Sequence, residues 1–282
     1  MHMADALISP AVGGTMWLVG TAATYYAVRK TRTDFSEQKA PLMGVLGAFV
    51  FAAQMINFAI PGTGSSGHLG GGILLSVLLG SHGGFLTMAS ILTIQALLFA
   101  DGGLLALGCN IFNLALIPCY IAYPFIYQRI AGSRPSRWRL AAAVTVATLV
   151  GLQLGALGVV AETVASGISD LPWRTFALFM LPIHLAIGAV EAAVTTAVLW
   201  YIRQEAPTLL SCAGNAKNGR FSVRKTAGIL LIVSLVTAGV LSGFASSSPD
   251  GLEWSVLRTA GSEDAGTSGF LHEWAAQCQK KI

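Results

Sequence analysis

The chain opens Met1-His2, and those two residues can do coordination chemistry. A free α-amino nitrogen, the amide nitrogen of His2 and Nδ1 of its imidazole can close two fused rings around one ion. The three nitrogens then lie in one plane and leave a fourth position open, the geometry that Cu(II) and Ni(II) favour. His68 is the natural fourth ligand. It lies in PGTGSSGHLGGG (residues 61–72), where glycines permit close backbone approach. Chain ends ordinarily fray, so this chemistry needs a terminus that is held in place, with Met1 as its true, unblocked start. The opening MHMADALISP has no basic leader, and its polar residues precede a full-length apolar run, so it reads as a retained start rather than a cleaved signal.

A second group of candidates lies inside apolar stretches. His184 and Glu191 are seven apart, two turns along one helical face. Ionisable groups within a membrane are costly and point to function; these two form either an acid–base pair or a structural pair within a bundle. Gln54, Asn57, Gln95, Asn110 and Asn113 read as interhelical hydrogen-bonding residues, some of them positioning the N-terminal segment behind the ligands. There is no GxxxxGK[ST], HExxH or GxSxG. An intramembrane enzyme using His184 and Glu191 therefore lacks a nucleophile or substrate motif. Any energy for transport must come from an ion gradient or an ATP-hydrolysing partner.

These residues must be positioned by membrane helices. Of 282 residues 54% are hydrophobic and only 11% charged, with a mean hydropathy of +0.66. A soluble domain carries about 25% charged residues. The fold class is an all-α integral membrane protein. The net charge of +4 is no nucleic-acid signal, because the basic residues sit in short loops between spans. Cys109, Cys119, Cys212 and Cys278 show neither disulfide nor zinc spacing.

In order, apolar spans are predicted over about 11–28, 41–60, 70–80 (short, tilted or partly re-entrant), 85–100, 104–128, 140–161 and 175–201, with an eighth over 226–245. Glu162 falls in the loop after the sixth, and His68 at the apex of the 61–72 loop. Basic loops at Arg29–Arg32, Arg129–Arg139 and Arg203–Lys225 are cytoplasmic by the positive-inside rule, which puts the N-terminus outside. The division is a bundle over 1–202, a basic cytoplasmic loop over 203–225, and a C-terminal span with an extracytoplasmic tail over 226–282.

Several segments together carry a resemblance: MHMADALISP, PLMGVLGAFVFAAQMINFAIPGTGSSGHLGGG, QALLFADGGLLALGCNIFN and HLAIGAVEA. On these the chain resembles the NikM/CbiM family, the substrate-binding (S) components of energy-coupling-factor (ECF) nickel and cobalt importers. The resemblance implies seven helices with the N-terminus inserted into the bundle from outside. It also implies a metal held by Met1, His2 and His68 in near-planar nitrogen ligation. Residues 249–254, PDGLEW, resemble the mark of the small auxiliary N component of nickel systems, though no second span follows them. Implied partners are a membrane coupling (T) component and cytoplasmic ATPases in the inner (cytoplasmic) membrane. Planar nitrogen ligation and PDGLE favour nickel as the transported ion, with cobalt as the alternative.

Overall fold

The computed structural model describes residues 2–33, 39–133, 135–205 and 245–261, with isolated positions between 228 and 243. Met1, half of the predicted eighth span and most of the basic loop before it lie outside the described residues. After a short 3₁₀ turn at Asp5–Leu7, the chain forms α1 (Pro10–Thr33) and α2 (Lys39–Gln54). A hairpin of β1 (Phe58–Ile60) and β2 (Ser65–Gly67) follows, then α3 (Gly72–Ile94), whose last turns widen over Gln95–Phe99. Further helices with described bounds are α4 (Leu107–Ala131), α5 (Arg137–Ser166), α6 (Trp173–Glu205) and the short α7 (Gly251–Ala260).

Four of the described helical stretches are long and apolar enough to cross a membrane: Gly72–Phe99, α4, α5 and α6. The α1 helix has the length but a more polar sequence, and α2 is apolar but only 16 residues long. Large apolar side chains face outward along these helices, Leu18 and Leu98 with 73% and 75% of their surface exposed. Such surface is stable against lipid and not against water. The protein is a multi-pass membrane protein. Its interior is filled by Leu46, Phe85, Met88, Leu140 and Phe176, all buried where α2 to α6 meet.

The Gly72–Phe99 stretch does not run straight. Gly80 has φ 79° and ψ 170°, outside the helical region. A Cβ placed on Gly84 would come within 2.8 Å of the Ser76 amide nitrogen. Residues eight apart on a straight helix are about 12 Å apart, so the chain doubles back at Gly80. The predicted short segment over 70–80 is thus one arm of a helical hairpin, turning where the sequence runs Gly-Ser-His-Gly-Gly. The arm from Ser81 to Phe99 is about 28 Å long at 1.5 Å per residue.

Three boundaries differ from the sequence expectations. The second span stops at Gln54, so Asn57 is not on it, and residues 58–60 pair as a strand with 65–67. Gly62 and Gly64 hold φ of 78° and 72°, a state glycine reaches without strain, and they turn the chain within four residues. His68 therefore follows the hairpin and is buried, rather than standing at a loop apex. The sixth span continues to Ser166, which places Glu162 on α5 and buries it. The hairpin is also the departure from an all-helical fold among the described residues.

Gly84→Ala forces a methyl against the Ser76 backbone, and overpacking of that kind costs about 1–3 kcal/mol. Thermal unfolding in detergent is expected to show a clear loss of stability for Gly84→Ala. Gly44→Ala, with nothing within 4 Å of its Cβ, is expected to leave it unchanged.

Candidate metal centre

The N-terminal segment is threaded into the bundle and pinned there. Met3, Leu7 and Ile8 are fully buried. The Met3 amide donates to Asn110 Oδ1 at 2.7 Å, and the Asn110 amide group donates back to the Met3 carbonyl at 3.3 Å. Gly103 N–H donates to the same carbonyl at 3.1 Å, and Ala106 N–H donates to the Asp5 carboxylate at 2.8 Å. The 101–106 turn can lie this close because Gly102, at φ 79°, has no side chain to collide with Asn110. Asn110, read from sequence as an interhelical residue, holds the backbone next to His2. Asp5, which would otherwise be a solvated carboxylate, is a clasp.

His2 is thereby set beside His68, their ring centroids 4.9 Å apart. Two imidazoles at right angles on one ion, bound through bonds of about 2 Å, have ring centres about 4.5 Å apart. His68 Nδ1 lies 3.2 Å from the Leu69 carbonyl. A carbonyl oxygen only accepts, so Nδ1 carries the hydrogen and Nε2 keeps its lone pair. Asp101, missed in the sequence reading, places its carboxylate 3.5 Å from His2 Nδ1. Among the described residues no three His, Cys, Asp or Glu side chains gather closely enough to enclose an ion.

The segment carrying His68 is braced from behind. Glu191 accepts the N–H groups of Gly70 and Gly71 at 2.8 and 2.9 Å, one on each oxygen. Gln54 donates to the Gly70 carbonyl at 2.7 Å and accepts from Gln95 at 2.8 Å. Both glycines must be small: a Cβ on Gly70 would meet the Glu191 carboxylate, and one on Gly71 would meet Val50. Asn113 turns elsewhere, donating to Glu162 at 2.7 Å. Asn57 contributes only its carbonyl, which accepts from the Ser246 amide. His184 Nδ1 is engaged by the Met180 carbonyl at 2.8 Å. His184 and Glu191 thus each hold a separate backbone group and form no acid–base pair.

The C-terminal segment closes over this arrangement. Asp250 caps α7 in a reciprocal box with Glu253, an Asp-x-x-Glu signature legible in sequence. Ser66 donates its amide to the Pro249 carbonyl at 2.8 Å and its hydroxyl to the Ser248 carbonyl at 2.7 Å. Trp254 Nε1 donates to the Thr63 carbonyl at 3.0 Å, with its ring edge-on to Phe179.

Charge follows from this burial. Desolvation, then the positive amino terminus, pushes the His2 imidazole down to about 3, against the pull of Asp250. The same two causes bring His68 to about 3. Burial works against the Asp250 carboxylate too, but the amino terminus, the neighbouring imidazoles and the Glu253 N–H outweigh it and keep the group ionised, at about 2. The centre at neutral pH is a pair of neutral imidazoles near two carboxylates. That combination suits a divalent cation.

Residues 2–209 match the family described as the cobalt uptake substrate-specific transmembrane region, CbiM. The chain belongs to the CbiM family. Residues 224–282 of this CbiM-family protein match a second family, the PDGLE domain. A putative metal transport protein of Haloquadratum walsbyi is 36% identical over 74% of this chain and 93% of its own. A putative fused nickel transport protein, NikMN, of Archaeoglobus fulgidus is 32% identical over 83% of this chain and 76% of its own. The crystal structure of a truncated transition metal transporter superposes with a TM-score of 0.63 at 29% identity, covering 72% of this chain and 99% of that one.

Two outcomes follow for this CbiM-family centre. Unfolded histidine titrates near 6.5, so the released segment binds more protons than the docked one between pH 6.5 and about 3. Docking is therefore undiminished above pH 6.5 and weakens as pH falls below it. Protection of the Met3 amide against hydrogen exchange, corrected for intrinsic rate, should fall about tenfold or more from pH 7 to pH 5. Asn110→Ala removes both hydrogen bonds to Met3, about 1 kcal/mol each. The same amide should then lose most of its protection at pH 7 while the melting temperature of the bundle changes little.

Proposed function

We propose that this protein is the substrate-specificity component of an ATP-driven importer of the ECF type, capturing Ni(II) at its N-terminus. The ligands are the amino nitrogen of Met1, the amide nitrogen and Nδ1 of His2, and Nε2 of His68. The observation that carries the reading is the pinned N-terminal segment, which sets the His2 ring 4.9 Å from that of His68 with both imidazoles neutral. A terminus held by Asn110, Gly103 and Ala106 is a built feature. Planar ligation by four nitrogens suits Ni(II) better than Co(II), and the PDGLE segment and the fused nickel relative support the same ion. Cobalt is the second reading, supported by the family description.

In this proposal the bundle has seven membrane helices over 1–202, with the amino terminus on the extracytoplasmic side of the inner membrane. Residues 203–225 form a basic cytoplasmic loop, and 226–282 a further span with a PDGLE-bearing tail. Gln54, Glu191 and Asn110 position the ligand segments. The chain has no ATP-binding motif, so reorientation of the loaded component falls to a membrane coupling protein and ATPase partners.

Calorimetric titration of the purified chain is expected to give one equivalent of Ni(II) bound more tightly than Co(II) or Zn(II); tighter Co(II) binding transfers the role to cobalt. Acetylation of the Met1 amine is expected to abolish binding because the chelate loses its first nitrogen. Retained binding in the acetylated form rules out the N-terminal site. His68→Ala, which removes one nitrogen of four, is expected to weaken binding by more than the roughly 10–100-fold that loss of an outer-shell partner costs.

A further inference from the structure

His184 stands mid-way along α6 and is 1% exposed. Because its Nδ1 hydrogen bonds to the Met180 carbonyl, Nε2 presents a lone pair. Nε2 is buried and meets no hydrogen-bond partner among the described residues. It borders a cavity of about 10 Å³ whose walls include Gly67, His68, Gly70 and Gly251. An orphaned buried nitrogen is destabilising, and a leucine would fill the same volume without that cost. An imidazole tied by one nitrogen to a carbonyl, with the other open, is the usual posture of a metal-bound histidine.

Its surroundings keep that nitrogen approachable. A Cβ on Gly251 would come within 3.0 Å of His184 Cε1 and 3.3 Å of Nε2. The glycine after Asp250 is what lets the PDGLE segment close over the cavity without filling it. A second cavity of about 20 Å³ shares Gly70, Leu114 and Leu152 with the first and adds Asn113, Thr148 and Glu191. Asn113 Oδ1, packed against Gly158, and Thr148 Oγ1 are buried and without hydrogen-bond partners among the described residues.

We propose that His184 is a cation-contacting residue, its Nε2 joining that of His68 to hold the ion at an inner position one step deeper than the N-terminal site. The ion at this position has exchanged nitrogens of the chain end for a second imidazole, with the ionised Asp250 nearby to offset its charge. The inference rests on the metal-capture reading above and adds a step after capture.

The test separates binding from transport, using the full chain. Ni(II) affinity is measured on purified protein, and radioactive nickel uptake in cells that carry the complete importer. His184→Gln keeps a neutral polar group and His184→Leu keeps the bulk. Both are expected to lower uptake about tenfold or more, as loss of a ligand does, with affinity at the N-terminal site within about threefold of the parent. His184→Cys, which supplies another metal ligand, is expected to recover part of the uptake. Unchanged uptake in the Gln or Leu variant overturns the inner position, since packing or any neutral group would then suffice. Loss of binding together with uptake also overturns it, because His184 would then belong to the scaffold of the capture site. Failure of the parent chain itself to bind Ni(II) is a different result and defeats the capture reading.

Discussion

The candidate centre depends on a chain terminus behaving as part of the interior. A segment close to a chain end is weakly restrained by its neighbours, and the entropy of ordering each of its residues is about 1–2 kcal/mol. Burial of Met3, Leu7 and Ile8 and the clasp of Asn110, Gly103 and Ala106 supply the compensation. Without that clasp His2 would sample solvent and its proximity to His68 would be lost. Every other feature of the centre, from neutral imidazoles to the closing C-terminal segment, presupposes it.

Electrostatics then follows from burial rather than from any single contact. Imidazoles withdrawn from water stay neutral, which is the protonation state a metal requires. Carboxylates at Asp101 and Asp250 remain near them, and the amino terminus adds a positive charge. Asp250 stays ionised although buried because that charge and the Glu253 N–H face it. The protein thus concentrates negative potential where a divalent cation would sit and places no fixed cationic side chain among the residues that surround it in the described structure.

The glycines set the scale of the centre. Gly70 and Gly71 let Glu191 and Val50 approach the His68 segment, Gly102 lets the 101–106 turn reach Met3, and Gly251 brings the PDGLE helix onto His184. The strand pairing of 58–60 with 65–67 gives the C-terminal segment a rigid edge to dock on through Ser66 and Thr63. One short hairpin in a helical bundle therefore links the ligand loop to the tail.

Composition and patterning alone specify a bundle of membrane helices, because a chain with 11% charged residues cannot remain in water with so much apolar surface. The candidate ligands Met1, His2 and His68 and the polar Gln54, Asn110 and Glu191 are legible as residue types, since few other chemistries use them at such positions. Their partners are not. Nothing local in the sequence joins Asn110 to Met3, Asp101 to His2 or Asp250 to the centre, for those contacts span 99 to 248 residues of chain, and only packing brings them together. Boundaries failed where backbone conformation decided them: at Gly62 and Gly64, which close a hairpin, and at Gly80, which reverses a helix. Residue chemistry thus announced which groups could bind an ion, and tertiary structure decided which of them meet, because distance along a folded chain says nothing about distance in space.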